Sequence, residues 1–192
     1  MTARPAVFLD RDGTINVEVN YLHRPADLDL IPGVPQAIAR LNAAGLPVFV
    51  VTNQAGIARG YYTVADMRVL HEHLNALLGG YGAHIDAFYY CPHHPEFTGP
   101  CVCRKPAPGM LLAAAADHDL DLNRSWLIGD AAGDMGAGYA AGCRTILVRT
   151  GYGAEIEHMW DGRTGGMWPE VVVDALPDAV DYILRQGKGS YA

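Results

Sequence analysis

The stretch AVFLDRDGTIN (residues 6–16) sets the reading of the whole chain. Four apolar residues, Ala6 to Leu9, run into Asp10, and Asp12, Gly13 and Thr14 follow. A short apolar run without polar alternation reads as a strand buried on both faces. A carboxylate at its end and another two residues on can be aimed into one crevice. Two close carboxylates repel unless a cation or a proton lies between them. Mg²⁺ suits such a place, because it is a hard ion that takes oxygen ligands, usually with water and substrate phosphate. Taken alone, Asp-x-Asp-Gly is also a common polar turn.

Working outward, similar apolar runs recur at 47–53 (PVFVVTN), 85–90 (IDAFYY), 125–130 (SWLIGD), 144–150 (RTILVRT) and 170–176 (EVVVDAL). Helical patterns lie between them, at 33–45, 63–82, 107–120 and 177–187. Thr63 is a capping residue for the second, and Pro108 suits the start of the third. Residues 151–169 are Gly-rich and read as an irregular surface loop. Alternating strands and helices imply an α/β fold: a Rossmann-like parallel sheet with helices on both faces. No repeat or linker divides residues 1–192, so a single domain is expected. In such sheets ligands bind beyond the carboxyl ends of the strands. The residues there are Asp10, Thr52 with Asn53, Cys91 and Asp130. About twenty residues separate the Asp10 loop from the first helix, which leaves no room for a large cap domain.

The 192 residues are half hydrophobic and carry a formal net charge of -7. That composition is globular, and its charge argues against nucleic acid as a partner. No segment is long and apolar enough to span a membrane, and the N-terminus lacks the apolar region of a signal peptide. Four cysteines without a secretion signal point to a reducing, cytoplasmic setting, where clustered cysteines bind metal more often than they form disulfides. Three of the four lie in YYCPHHPEFTGPCVCRKPAPG (89–109). Cys91, His93, Cys101 and Cys103 make a structural Zn²⁺ set with no open coordination position. His94 competes with His93 for the fourth place. Pro92, Pro95, Gly99 and Pro100 leave this loop little apolar material to bury, so a metal would offset the entropy of ordering it. Cys143 stands apart and reads as a small core residue.

The chain order D-x-D-G-T, strand-end Thr, Lys before a Pro-bounded helix, then G-D-x-x-x-D resembles the haloacid dehalogenase superfamily of phosphohydrolases. DRDGTIN, VVTNQAGIARG, YYCPHHP, CRKPAPGML and LVRTG are similar to the D-glycero-D-manno-heptose 1,7-bisphosphate phosphatases, which share a zinc-containing subgroup with the histidinol-phosphate phosphatases. The resemblance implies a phosphoric monoester hydrolase, a sugar phosphatase acting on a phosphorylated heptose. Asp10 would be the nucleophile and Asp12 the general acid/base. Thr52 and Lys105 would stabilise the phosphoryl group. Mg²⁺ would be held by Asp10, Asp130 and the backbone carbonyl of Asp12. Arg104 would recognise substrate, with Asn53 and Arg59 near the same rim. Arg59 reads equally well as an ordinary surface charge. The family spacing C-x-H selects His93 over His94. Asp134 would either orient Lys105 or stand behind the metal.

One departure stands out: Ala131 occupies a position where heptose bisphosphate phosphatases often carry a basic residue, so the anomer preference stays open. Histidinol phosphate is the enzyme alternative, its amine meeting Glu18 or Asp27. A non-catalytic, zinc-stabilised binding module is the alternative of another class. A monomer is the default expectation.

Overall fold

The computed structural model describes residues 3–159 and 169–187. In chain order the elements are β1 (Val7–Leu9), α1 (Val34–Ala43), β2 (Val48–Asn53), α2 (Ala55–Ala58), α3 (Val64–Gly79), β3 (Ala87–Cys91), α4 (Pro95–Thr98), α5 (Gly109–His118), β4 (Trp126–Gly129), α6 (Ala132–Ala141), β5 (Arg144–Val148), α7 (Gly153–Met159), β6 (Val171–Val173) and α8 (Leu176–Gly187).

The six strands form one sheet in the order β3-β2-β1-β4-β5-β6, and all five pairings are parallel. β1 lies in the middle, with Leu9 opposite Val50 and Ile128. Asp10 therefore leaves the sheet between the ends of β2 and β4, where the strand order reverses and a crevice opens.

Side chains alternate across the sheet and build two cores. Val7, Leu9, Val48, Val50, Trp126 and Ile128 face α1, α3 and α8 through Ile38, Leu41, Leu74, Leu78, Val180 and Ile183. Phe8, Phe49, Val51 and Leu127 face α5 and α6 through Leu111, Ala114 and Ala137. Central strands are buried throughout, but β3 and β6 are half-buried because they are the sheet edges. Expecting every strand to be buried on both faces was too strong for those two.

The six strands and the four helices read from the sequence are all present. Thr63 caps α3 in a reciprocal box: its hydroxyl accepts from Asp66 N–H at 3.2 Å, and Asp66 accepts from Thr63 N–H at 2.8 Å. Pro108 sits at the N-cap of α5. Four helices were missed: the short α2 and α4, and the longer α6 and α7. α7 occupies residues 153–159 of the stretch read as an irregular loop, and the rest of that stretch up to 168 lies outside the described residues. α6 was hidden by Gly133, Gly136 and Gly138, which are poor helix formers. The packing explains the last two. A Cβ on Gly138 would lie 2.3 Å from Thr145 Cγ2, and one on Gly136 would lie 2.7 Å from Pro106 Cβ. α6 approaches β5 and the loop after Lys105 too closely for side chains.

Between β1 and α1 the chain forms only a flap. Its two arms pair through Val17 N–H to Asp29 O (2.9 Å) and Ile31 N–H to Ile15 O (3.1 Å). No large cap lies there, as expected.

Candidate active site and metal centres

The strand ends surround a cavity of about 330 Å³. Asp10, Asp12, Thr52, Asn53, Arg104, Lys105, Asp130 and Asp134 line it, together with flap residues 18–22 and Tyr152. The size lies within the range of small-molecule sites, roughly 300–1,000 Å³.

Lys105 is the hub of the cavity floor. It is 7 % exposed, and its Nζ lies 2.8 Å from Asp10 Oδ1, 2.5 Å from Asp134 Oδ1 and 2.9 Å from Val51 O. Its backbone is held as well, because Asn53 Oδ1 accepts from Lys105 N–H at 3.1 Å and Asn53 Nδ2 donates to Lys105 O at 3.2 Å. Asn53, expected at the substrate, thus grips the lysine. Of the two roles left open for Asp134, orienting Lys105 matches its contact.

Asp130 ends β4 and sits between two left-handed glycines. A Cβ on Gly151 (φ +57) would lie 2.0 Å from Asp130 Oδ2, and one on Gly13 (φ +79) 2.2 Å. Tyr152 N–H donates to the same oxygen at 2.8 Å. No other residue type fits either position.

The charges do not balance among the buried groups. Asp10, Asp130 and Asp134 bring carboxylate oxygens within 4.8 Å of one another around one ammonium. Burial pushes Asp10 up to about 7 although Lys105 pulls it down. Burial, then the charges of Asp10 and Asp134, push Asp130 up to about 8. Burial works against the charged form of Lys105, but the two carboxylates outweigh it and hold the ammonium well above the usual lysine range. Excess negative charge on hard oxygen ligands is what a divalent cation would neutralise, so the residues fit Mg²⁺.

The carboxylate of Asp12 is not in that cluster. Arg11 takes both its oxygens, Nε to Oδ1 at 3.1 Å and Nη2 to Oδ2 at 2.8 Å. Asn16 Nδ2 (3.1 Å) and Gln54 Nε2 (3.3 Å) add two more donors. Asp12 could reach a cation at Asp10 only through its backbone, as the expectation had it. Gln54 also donates to Thr52 Oγ1 at 2.7 Å and accepts from Tyr62 O–H at 2.6 Å. Arg11, Gln54, Tyr62 and Tyr152 were not singled out in the sequence. The place of Gln54, just past a strand end, was the one available signal.

The second cluster lies beside the first. His93 Nδ1 and the three sulfurs of Cys91, Cys101 and Cys103 lie within 4.8 Å of one another. The sulfurs of Cys91 and Cys103 lie 3.0 Å apart, and Cys91 Sγ lies 3.7 Å from His93 Nδ1. A zinc ion with sulfurs at about 2.3 Å places them about 3.8 Å apart, so four such ligands fit after a small expansion. Burial opposes ionisation of Cys101, but the N–H of Arg104 and the neighbouring sulfurs outweigh it and bring the thiol to about 7. His94 is excluded by its own role: its Nδ1 accepts from Glu96 N–H at 3.3 Å and caps α4, and its Nε2 faces Arg59. Arg59 spans His94, Glu96 and the Phe97 ring, and it does not line the cavity. Cys143 is buried in the core as expected.

The two clusters are joined. Arg104 Nη1 donates to His93 O at 3.2 Å, and Gln54 N–H donates to Cys91 O at 2.8 Å. A HAD-hydrolase-like family model matches residues 102–179. A D-glycero-D-manno-heptose-1,7-bisphosphate 7-phosphatase of Thermosynechococcus vestitus is 46% identical over 189 residues, covering 94% of this chain and 95% of the relative. The chain belongs to the heptose-1,7-bisphosphate phosphatase family of the haloacid dehalogenase superfamily. The D-glycero-beta-D-manno-heptose-1,7-bisphosphate 7-phosphatase of Escherichia coli K12 is 46% identical over 153 residues, 77% of this chain and 80% of that one. The crystal structure of D,D-heptose 1,7-bisphosphate phosphatase from B. bronchiseptica, complexed with magnesium and phosphate, superimposes with a TM-score of 0.85 at 34% identity, over 95% of this chain and 99% of that one.

Proposed function

We propose that the chain is a Mg²⁺-dependent phosphohydrolase that removes the 7-phosphate of D-glycero-D-manno-heptose 1,7-bisphosphate, with residues 1–192 acting as one catalytic domain. The observation that carries this reading is the convergence of Asp10, Lys105, Asp130 and Asp134 at the sheet's switch point. The Asp10 carboxylate attacks phosphorus in line with the bond to the sugar oxygen. That bond breaks, the oxygen takes a proton from Asp12, and an aspartyl-phosphate remains. Water then attacks the phosphorus, gives its proton to Asp12, and the Asp10–phosphorus bond breaks. Lys105 fixes Asp10 through Oδ1 and neutralises a phosphoryl oxygen, while Thr52 donates to another. Bound Mg²⁺, held by Asp10, Asp130 and the Asp12 carbonyl, would offset the charge that keeps phosphate from a carboxylate. Among the described residues Arg104 is the cavity's cation without a carboxylate partner, and its planar fork suits the distant phosphate.

Cys91, His93, Cys101 and Cys103 would hold a structural Zn²⁺. That ion would fix the loop whose next residues are Arg104 and Lys105. A monomer is the working unit of this reading. Among the described residues no helix is long and apolar enough to cross a membrane. Four free thiols favour the cytoplasm.

One observation favours the histidinol phosphate alternative: Glu18 lines the cavity and could meet an amine, whereas Asp27 pairs with Arg24 at the surface. The test compares kcat/KM for the two heptose bisphosphate anomers and histidinol phosphate. Preference for a heptose is expected. Preference for histidinol phosphate would overturn the substrate, and no release from any would favour the binding module.

A further inference from the structure

Arg11 is 1 % exposed, and its guanidinium is spent on a set of acceptors. Beyond the two oxygens of Asp12, Nη2 lies 3.2 Å from Leu22 O and 3.4 Å from Gln54 Oε1, and Nη1 lies 3.2 Å from His71 Nε2. We propose that His71 is a positioning residue for Asp12: it accepts from Arg11 and so fixes the guanidinium that orients the Asp12 carboxylate toward the leaving group. The proposal rests on the phosphatase reading above.

An arginine only donates, so His71 Nε2 must be the acceptor and its ring must be neutral, with the proton on Nδ1. The surroundings agree: burial, and then the Arg11 charge, push the imidazole down to about 3. Phe88 stacks on the ring with centroids 4.4 Å apart and holds its plane. His71 is carried by α3, and no α3 residue lines the catalytic cavity. His71 can therefore act there only through Arg11.

The residue type argues for more than filling. An apolar side chain would fill this place but leave a buried N–H of Arg11 without an acceptor. A carboxylate would accept but would compete with Asp12 for the guanidinium charge. A neutral acceptor holds Arg11 and leaves its charge on Asp12. A second support of Asp12 runs from Tyr62 O–H through Gln54, whose Oε1 also meets Arg11.

The experiment uses the full chain with His71→Leu and His71→Gln, whose amide oxygen takes the place of Nε2. Two substrates are compared by kcat/KM, which reads the steps up to the aspartyl-phosphate. Heptose 1,7-bisphosphate has a poor leaving group that needs the proton of Asp12, while p-nitrophenyl phosphate has a good one that does not. His71→Leu is expected to lose roughly 10- to 100-fold on the heptose substrate but less than about 3-fold on the aryl phosphate, and His71→Gln to recover most of the loss. Equal losses on both substrates, or no recovery with His71→Gln, would overturn the proposal. If His71→Leu does not fold, His71→Asn replaces it, since its shorter amide cannot reach Arg11, and the same outcomes decide. Failure of the unaltered protein to hydrolyse either substrate would instead overturn the phosphatase reading.

Discussion

Two ligand clusters lie side by side in this molecule and are organised in opposite ways. The carboxylates come from two strand ends and a helix start, with Asp10 far along the chain from Asp130 and Asp134. Each is held by the fold: Asp130 by Tyr152 N–H and two glycines, Asp134 by Ala131 N–H at 3.0 Å, Asp10 by Lys105. The thiols and His93 come from one loop of thirteen residues (91–103), and their contacts are mainly with each other. The first cluster is preorganised and carries excess charge. The second is anchored at Cys91 by β3 and the core, and its other ligand atoms chiefly meet one another. Removing a cation should thus leave the first in shape but under electrostatic tension, and should loosen the second.

The largest effect that would break this contrast lies in the first cluster. Asp10→Asn should lower turnover by roughly 10⁴-fold or more with the fold intact. Retained activity in a phosphate-release assay would remove Asp10 from the chemistry.

Cys101→Ser tests the second cluster. It should lower zinc content, measured by elemental analysis, and a loss of about 2 kcal/mol would lower Tm by roughly 4–8 °C. Activity should fall with it, because Arg104 hangs on His93 O. Unchanged zinc and Tm would defeat the metal assignment.

Arg104→Ala should separate the neighbouring roles. KM for the bisphosphate is expected to rise roughly tenfold with kcat nearly constant, since a charge-assisted phosphate contact is worth about 1.5–3 kcal/mol. A fall in kcat alone would assign Arg104 to the chemistry.

The smallest effect reads the tension itself. Asp10 and Asp130 titrate near 7 and 8 in the folded chain without a cation, against a carboxyl value of 3.8. Their folded values are raised, so the folded state binds more protons, and stability is lost as pH rises through about 4 to 8. Chelated protein should show Tm falling across that window, and Mg²⁺ should flatten the slope. A Tm independent of pH without Mg²⁺ would contradict the excess charge.

Much of this was legible in residue order. AVFLD (6–10) and SWLIGD (125–130) announce strands that end in carboxylates, because apolar runs without alternation must be buried on both faces. CPH (91–93) and CVC (101–103) announce a cluster of metal-type ligands, because prolines and glycines leave the loop between them little to bury. The helix α6 was not legible, since its glycines answer to Pro106 and Thr145, which lie outside that segment. Residue order left Arg59 open between a rim residue and an ordinary surface charge; it turns to the Phe97 ring.

The sequence by itself determined the parallel sheet, the absence of a large cap, the chemistry of both ligand sets and the family. Those depend on residue type and local order. Only the tertiary structure decided that Asn53 grips Lys105, that Arg59 turns to the Phe97 ring, and that His71 reaches Asp12 through Arg11. Those depend on which donor meets which acceptor across long loops, and hydrogen bonds of about 3 Å carry no periodicity that a sequence could display.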